Sequence, residues 1–439
     1  MVTAGPVIVM ITCHDLGRHL GLYGRATVPS AHLDALGASG LVFDAAFCTA
    51  PHCSPARGSM STGRYPHRNG LVGLAHPPYD FRLRREAVTT AAHLGAHGFG
   101  THLFGLQHVA ASPQAAGFAT AHPYPGPAAI GADVAAQVER FTRALPAGPL
   151  YVEVNLEEPH RPYAQGGAVP DDPAGVEVPA FLPDGPASRA EVAALHGAIR
   201  HADAAVGRIA DAFRGSARAG DVVLGFAADH GLAMPRAKCT LYDPGIEIAL
   251  LLAGAGVPAG ERRSDLVSGV DVGPTLWARA GVDAPSGVDA PSGVDALAGV
   301  DGHDLLAGRA PRERVFAEKT FHSYYDPMRA VRSPVAKLIV NFGVGFRVEV
   351  PADVTEGPIF RSDPGRYTGG PHPVAELYDL RADPLERHNL LNGDARPAPF
   401  EELRAALLAW MRDGDDPLLG ARGPLTAPQH RQALHLLGA

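Results

Sequence analysis

Long apolar runs, basic runs and disulfide-type cysteine spacing are all missing from this 439-residue chain. No stretch of about 20 apolar residues occurs, which excludes an ordinary membrane-spanning helix. The opening residues MVTAGPVIVMITCHD carry no charged leader, and the apolar run Val7–Thr12 is too short for a signal peptide. The expectation is a soluble, cytoplasmic protein with no membrane partner. A formal net charge of −8 without any basic stretch argues against nucleic acid as a partner. Charged residues make up 19 % of the chain, below the usual value of about 25 %. Gly, Ala and Pro take their place, so loops should be abundant. The four cysteines (Cys13, Cys48, Cys53 and Cys239) are too few for a disulfide framework in a chain this long. Each is left free for chemistry or for burial.

What is present begins with hydrophobicity: 46 % of the residues are apolar, enough for a substantial core. Val7–Thr12, Leu150–Val154 and Val222–Ala228 are short β-branched apolar runs, the pattern of strands buried on both faces. Each ends in polar residues: His14-Asp15, Asn155–His160 and Asp229-His230. Between them, Thr89–His97 reads as a helix stopped by Gly98. Residues Arg189–Arg214 place Val192, Leu195, Ile199, Ala202, Val206 and Ile209 at helical spacing. Strands alternating with helices predict an α/β fold with a mostly parallel central sheet, whose ligands gather at the carboxyl ends of the strands. Residues 1–310 are expected to form the catalytic domain. Within it, 281–300 carries imperfect GVDAPS repeats, too few for a solenoid, and reads as an expanded loop. Residues 311–439 are expected to form a small α+β domain, with strands at VFAEK and KLIVNF and a helix near Phe400–Met411.

The densest chemical signal is Cys53-Ser54-Pro55-Ala56-Arg57 followed by Thr62-Gly63-Arg64. It resembles the signature of the sulfatases, C-x-P-S/A-R with a downstream T-G-R. The resemblance continues in order along the chain. Gly98–His108 is similar to G-Y-x-T-x-x-x-G-K-x-H, Glu158-Pro159-His160-Arg161-Pro162 to D-P-H-R-P, and Lys238-Cys239-Thr240-Leu241-Tyr242 to K-G-T-x-Y/W. Glu376-Leu377-Tyr378-Asp379-Leu380 is similar to the C-terminal E-L-Y-D-L element. The pattern lies nearest the N-sulfoglucosamine sulfohydrolase branch.

The resemblance implies an alkaline-phosphatase-like fold and a hydrolase acting on a small-molecule or saccharide sulfate ester, or on a sulfamate. It implies that a formylglycine-generating enzyme oxidises Cys53 to formylglycine. The chemical reason is that a sulfated thiol would release its sulfate poorly. An aldehyde hydrate carries two hydroxyls on one carbon: one attacks sulfur, and the other then expels sulfate and restores the aldehyde. It further implies that His14, Asp15, Asp229 and His230 hold one divalent ion, that Arg57 supplies fixed charge beside the nucleophile, that Lys238 and His160 clamp the sulfate, and that His108 assists deprotonation or contacts the sulfate.

Two positions depart from the family. His14 replaces an aspartate, which thins the acidic shell. The family's ion is calcium, whereas a second imidazole suits manganese, zinc or iron. Leu106 stands where the family has a lysine, and Lys319 is a candidate to supply that charge from elsewhere. His322 with Tyr324-Tyr325 could border the pocket or be ordinary packing. The thinner acidic shell also fits a phosphonate monoester or phosphodiester hydrolase of the same superfamily, and the two departures keep open an inactive binding relative.

Overall fold

The computed structural model describes residues 5–126, 129–285, 299–308, 310–393, 396–420 and 428–439. Residues 286–298, most of the repeat segment, lie outside them. Eight strands form the main sheet: β1 (Val7–Cys13), β2 (Leu41–Phe47), β3 (Gly100–Gly105), β4 (Thr120–His122), β5 (Leu150–Leu156), β6 (Val222–Ala228), β7 (Leu250–Gly254) and β8 (Glu261–Ser268). Their spatial order is β4-β3-β5-β1-β6-β7-β2-β8. All neighbouring pairs are parallel except those of β7, which runs against both β6 and β2. The sheet is therefore mostly parallel, with helices packed on it. The central strands β1 and β6 are buried at every residue, as their unbroken apolar runs require.

The long helix spans Pro186–Arg214, starting three residues before the expected Arg189 because Pro186 occupies the first helical turn. Its predicted stripe, Val192, Leu195, Ile199, Ala202, Val206 and Ile209, is entirely buried. The helix Thr90–Ala96 begins behind Thr89, whose hydroxyl accepts the Ala92 N–H at 3.1 Å.

A second, antiparallel sheet comprises β9 (Val315–Phe321), β10 (Tyr325–Arg332), β11 (Ala336–Asn341) and β12 (Ala375–Asp379), in the order β12-β11-β10-β9. One face carries Ala317, Met328, Ala330 and Ile339 into the main core. The other face packs Val331, Leu338 and Val340 against Leu403, Leu407 and Met411 of the helix Pro399–Asp413. The backbone also joins the two sheets, the Glu318 N–H donating to the Thr49 carbonyl at 2.8 Å. Loops from both sheets thus meet over one end of the parallel strands. All four cysteines are buried and unbridged.

Candidate active site

The end of β1 and the end of β6 build the centre of the cluster. The Asp229 N–H donates to the Cys13 carbonyl at 3.1 Å, continuing the strand pairing by one residue. The turn after β1 then puts Asp15 at a φ of 51°, in the left-handed region. Its N–H donates to Asp229 Oδ1 at 3.0 Å. A non-glycine residue in that region is held there by its surroundings, and such positions gather at functional sites.

Side chains complete the centre. His14 Nδ1 lies 3.1 Å from Asp229 Oδ2, and His230 Nε2 lies 3.0 Å from Asp15 Oδ1. Cys53 is the first residue of the helix Cys53–Thr62, with Pro55 in its first turn. Its Sγ sits 3.4 Å from His230 Nε2. Arg57, one turn further on, donates from Nε to Asp229 Oδ2 at 3.0 Å and from a terminal nitrogen to Thr12 Oγ1 at 2.6 Å. Residues 14, 15, 53, 57, 229 and 230 therefore converge: the strand-end pattern leads one to expect this of 14, 15, 229 and 230, and the family resemblance implies it for Cys53 and Arg57.

The open side of the cluster is cationic. Lys238 Nζ lies 3.0 Å from Asp15 Oδ2, 2.9 Å from Asp353 Oδ2 and 3.3 Å from His160 Nε2. His160 donates its Nδ1 proton to the Arg161 carbonyl at 2.6 Å, which leaves Nε2 facing Lys238 and Asp15. His108 stands edge-on to His14, with ring centroids 5.0 Å apart.

Electrostatics separate these groups. Burial, then Arg57, holds the His14 imidazole well below its ordinary pKa, and the same two causes act on His108. Both are neutral bases or ligands. Burial works against charge at Lys238, but Asp15 leads the groups that raise it well above the usual lysine value. Burial also opposes charge at His230, where Asp229, Cys53 and Asp15 nonetheless raise the imidazole well above its ordinary pKa; an ion bound there would displace the Nε2 proton. Asp15, despite burial, is pulled well below the carboxylate range by Lys238, His160 and His230.

The donors fit a divalent ion. His14 is 1 % exposed, and neither of its ring nitrogens has a hydrogen-bond partner; Nδ1 is near Asp229 but out of line. Asp15 Oδ1 is likewise unbonded despite its distance to His230. Donors on adjacent corners of a coordination sphere lie about 3 Å apart when metal–donor distances are about 2.0–2.3 Å. Those are the separations of both pairs. His230 Nδ1 donates to the Gly231 carbonyl at 3.0 Å, which fixes the ring and presents Nε2 inward.

Three residues qualify the sequence reading. Lys319, the candidate to replace the lysine missing at Leu106, is fully buried between Asp326 at 2.7 Å and Glu349 at 2.5 Å. Its ammonium also donates to the Cys239 carbonyl at 3.3 Å, so its charge is already taken up by protein groups. His322 stands behind the start of the Cys53 helix, its ring 5.4 Å from that of His52 and its Nδ1 3.4 Å from Glu349 Oε1. Asp353 was not foreseen: it arrives on the four-residue helix Ala352–Thr355, which has no sequence signature and is placed only by the second sheet.

Comparison with known proteins gives one consistent result. The family model described as Sulfatase matches residues 6–282. Human N-sulphoglucosamine sulphohydrolase is 27 % identical over 93 % of this chain and 90 % of its own length. A solved protein of glycosaminoglycan metabolism from Bacteroides thetaiotaomicron superposes with a TM-score of 0.72 at 17 % identity, covering 94 % of this chain and 97 % of that one. The phosphonate monoester hydrolase of Silicibacter pomeroyi superposes with a TM-score of 0.68 at 17 % identity, covering 94 % and 96 %. At such identities the two superpositions establish the fold.

Proposed function

This chain belongs to the sulfatase family and is a sulfuric ester hydrolase, and we propose that it cleaves a sulfate ester or sulfamate through an oxidised Cys53 set beside one divalent ion. The observation that carries the proposal is the contact of Cys53 Sγ with His230 Nε2 at 3.4 Å, next to the two carboxylates Asp15 and Asp229. Formylglycine made from Cys53 by a maturation enzyme supplies an oxygen nucleophile for sulfur and a second hydroxyl for releasing sulfate. His14, Asp15, Asp229 and His230 would hold the ion, which supplies positive charge to the nucleophile and to the sulfate oxygens.

The remaining work falls to this chain's own side chains. Arg57 orients Asp229 by direct donation. Neutral His108 can take a proton at the buried end of the site. On the open side, Lys238 binds a sulfate oxygen as a point charge. With His160 Nε2 at 3.3 Å, it can pass a proton to the departing oxygen or nitrogen. Asp353 holds Lys238 in place at 2.9 Å from the side opposite the strands.

Two imidazoles among four donors favour manganese or zinc over the family's calcium. The Asp229-His230 pair is also compatible with a phosphonate or phosphodiester substrate. Protein matured with a formylglycine-generating enzyme should be assayed on aryl sulfate, a sulfamate, a phosphate diester and a phosphonate ester. The sulfate or sulfamate should turn over at least tenfold faster than the phosphorus esters and stop after chelation, and metal analysis should find about one ion per chain. Faster phosphonate turnover, or full activity after chelation, would refute the reading.

A further inference from the structure

A cavity of about 700 Å³ lies alongside the catalytic cluster, and its chemistry is not used by the proposed reaction. Four arginines line it: Arg236, Arg347, Arg366 and Arg387. Among the described residues none of the four makes an ion pair, on a chain whose net charge is −8. Arg236 packs its guanidinium 4.2 Å from the Tyr242 ring, and its Nη1 is buried without a hydrogen-bond partner. The Arg387 guanidinium donates to the Ala180 carbonyl at 2.7 Å, while its backbone N–H donates to Asp383. The two carboxylates in the lining are taken by the protein itself. Glu376 accepts from Tyr242 and Tyr378 at 2.7 and 2.6 Å, and Glu386 pairs with Lys337 at 2.7 Å. Tyr367 is 4 % exposed, yet its buried hydroxyl has no partner.

These four guanidiniums outnumber the two lining carboxylates, of which Glu386 is paired with Lys337; the excess positive charge attracts a ligand with more than one anionic group, and each guanidinium can hold a carboxylate or sulfate by two parallel bonds. The rest of the lining narrows the class. The partly exposed Phe181 ring offers a flat apolar face for the C–H face of a sugar, and Asn392 offers a paired donor and acceptor for hydroxyls. The volume suits a few sugar units and no folded partner.

We propose that this cavity is a second, non-catalytic binding site for an anionic saccharide bearing carboxylates or sulfates. Two short segments connect it to the catalytic cluster. Residues 236–238 give Arg236 to the cavity and Lys238 to the cluster; residues 347–353 give Arg347 to the cavity and Asp353 to the cluster. A bound chain therefore runs beside the catalytic groups without displacing them.

The test is calorimetric titration of Cys53→Ala protein, which cannot turn over, with a sulfated hexasaccharide, an unsulfated oligouronate of equal length, and ATP. At least one saccharide should bind. Arg347→Ala with Arg366→Ala, both at exposed positions, should weaken that binding at least tenfold while the melting temperature stays the same. Which saccharide binds more tightly tells sulfate from carboxylate recognition. His160→Ala, in the catalytic cluster, should leave this affinity in place whether or not the chain is a working sulfatase. Binding unaffected by the arginine changes, binding abolished by His160→Ala, no saccharide binding, or tighter binding of ATP would each overturn the site.

Discussion

Lys238 and Lys337 are the same chemical object in two places. The chain has three lysines, the third being Lys319, and each is buried between two carboxylates. Lys337 Nζ lies 2.5 Å from Asp243 and 2.7 Å from Glu386 and donates to the Leu241 carbonyl at 3.0 Å, so its cage is closed. Lys238 has a cage with an open wall, because His160 and Asp353 are 27 % and 22 % exposed. The local charge pattern is alike, so function is not written in the pattern. It comes from location: Lys238 stands over the carboxyl ends of β1 and β6, while Lys337 lies within β11. At the strand ends a ligand can complete the shell, whereas inside the second sheet the protein completes it.

The comparison is tested most strongly at the open end. Cys53→Ala removes the group that becomes the nucleophile while leaving the cage of Lys238 intact. Turnover of an aryl sulfate should fall at least about 10⁴-fold with an unchanged melting temperature. A loss under tenfold would mean that the nucleophile lies elsewhere. Lys238→Met keeps volume but removes the charge on the open side. It should cost about 10²–10³ in kcat/KM, the range for losing one pre-set stabilising donor. A variant that retains full kcat/KM would place Lys238 with Lys337, among purely structural lysines.

The closed cage should respond in stability. Lys337→Met leaves Asp243 and Glu386 facing each other without the ammonium, and breaking a buried pair costs about 3–5 kcal/mol. Urea unfolding would show this as a lower midpoint, with kcat of the folded fraction within about threefold of wild type. Equal stability would show that burial of the aliphatic stem, and not its charge, is what the second sheet needs.

How much of this was legible beforehand follows from the same contrast. β1, β5 and β6 are visible as apolar runs because strands buried on both faces have little other vocabulary, and the polar residues after them mark the site directly. Cys53 and Arg57 are visible because they fall in a short contiguous motif that resembles the sulfatase signature, and one helical turn places both on the same side of the helix. Asp353 is invisible, since its approach to Lys238 depends on how the stretch after β11 folds back over the parallel sheet. Lys319 is the instructive case. As the cation nearest in sequence to a plausible rim it looked available for the role vacant at Leu106, but Asp326, seven residues on, and Glu349 already enclose it. Sequence proximity to a site says nothing about whether a charge has been neutralised, because the neutralising partners come from across a hairpin and beyond.

The smallest expected effect is an acid one, and its sign is fixed by the closed cage. Despite burial, Lys337 and Arg332 draw the folded-state pKa of Asp243 down from 3.8 to about 2. A depressed carboxylate contributes its stability above the unfolded value and loses it as pH falls through the folded one. The window is therefore from about pH 4 down to about pH 2, and the contribution at stake is about 2 kcal/mol. Glu386, pushed up to about 7 chiefly by burial, is protonated in both folded and unfolded chains below about pH 4, so it adds nothing in this range. Other carboxylates titrate there too, which makes the difference between two proteins the proper observable. Unfolding free energy measured from pH 4 to pH 2 should fall by about 2 kcal/mol more in the wild type than in Asp243→Asn. Parallel curves would mean that Asp243 ionises as freely in the fold as out of it, and that the cage around Lys337 does not hold its carboxylate in the charged form.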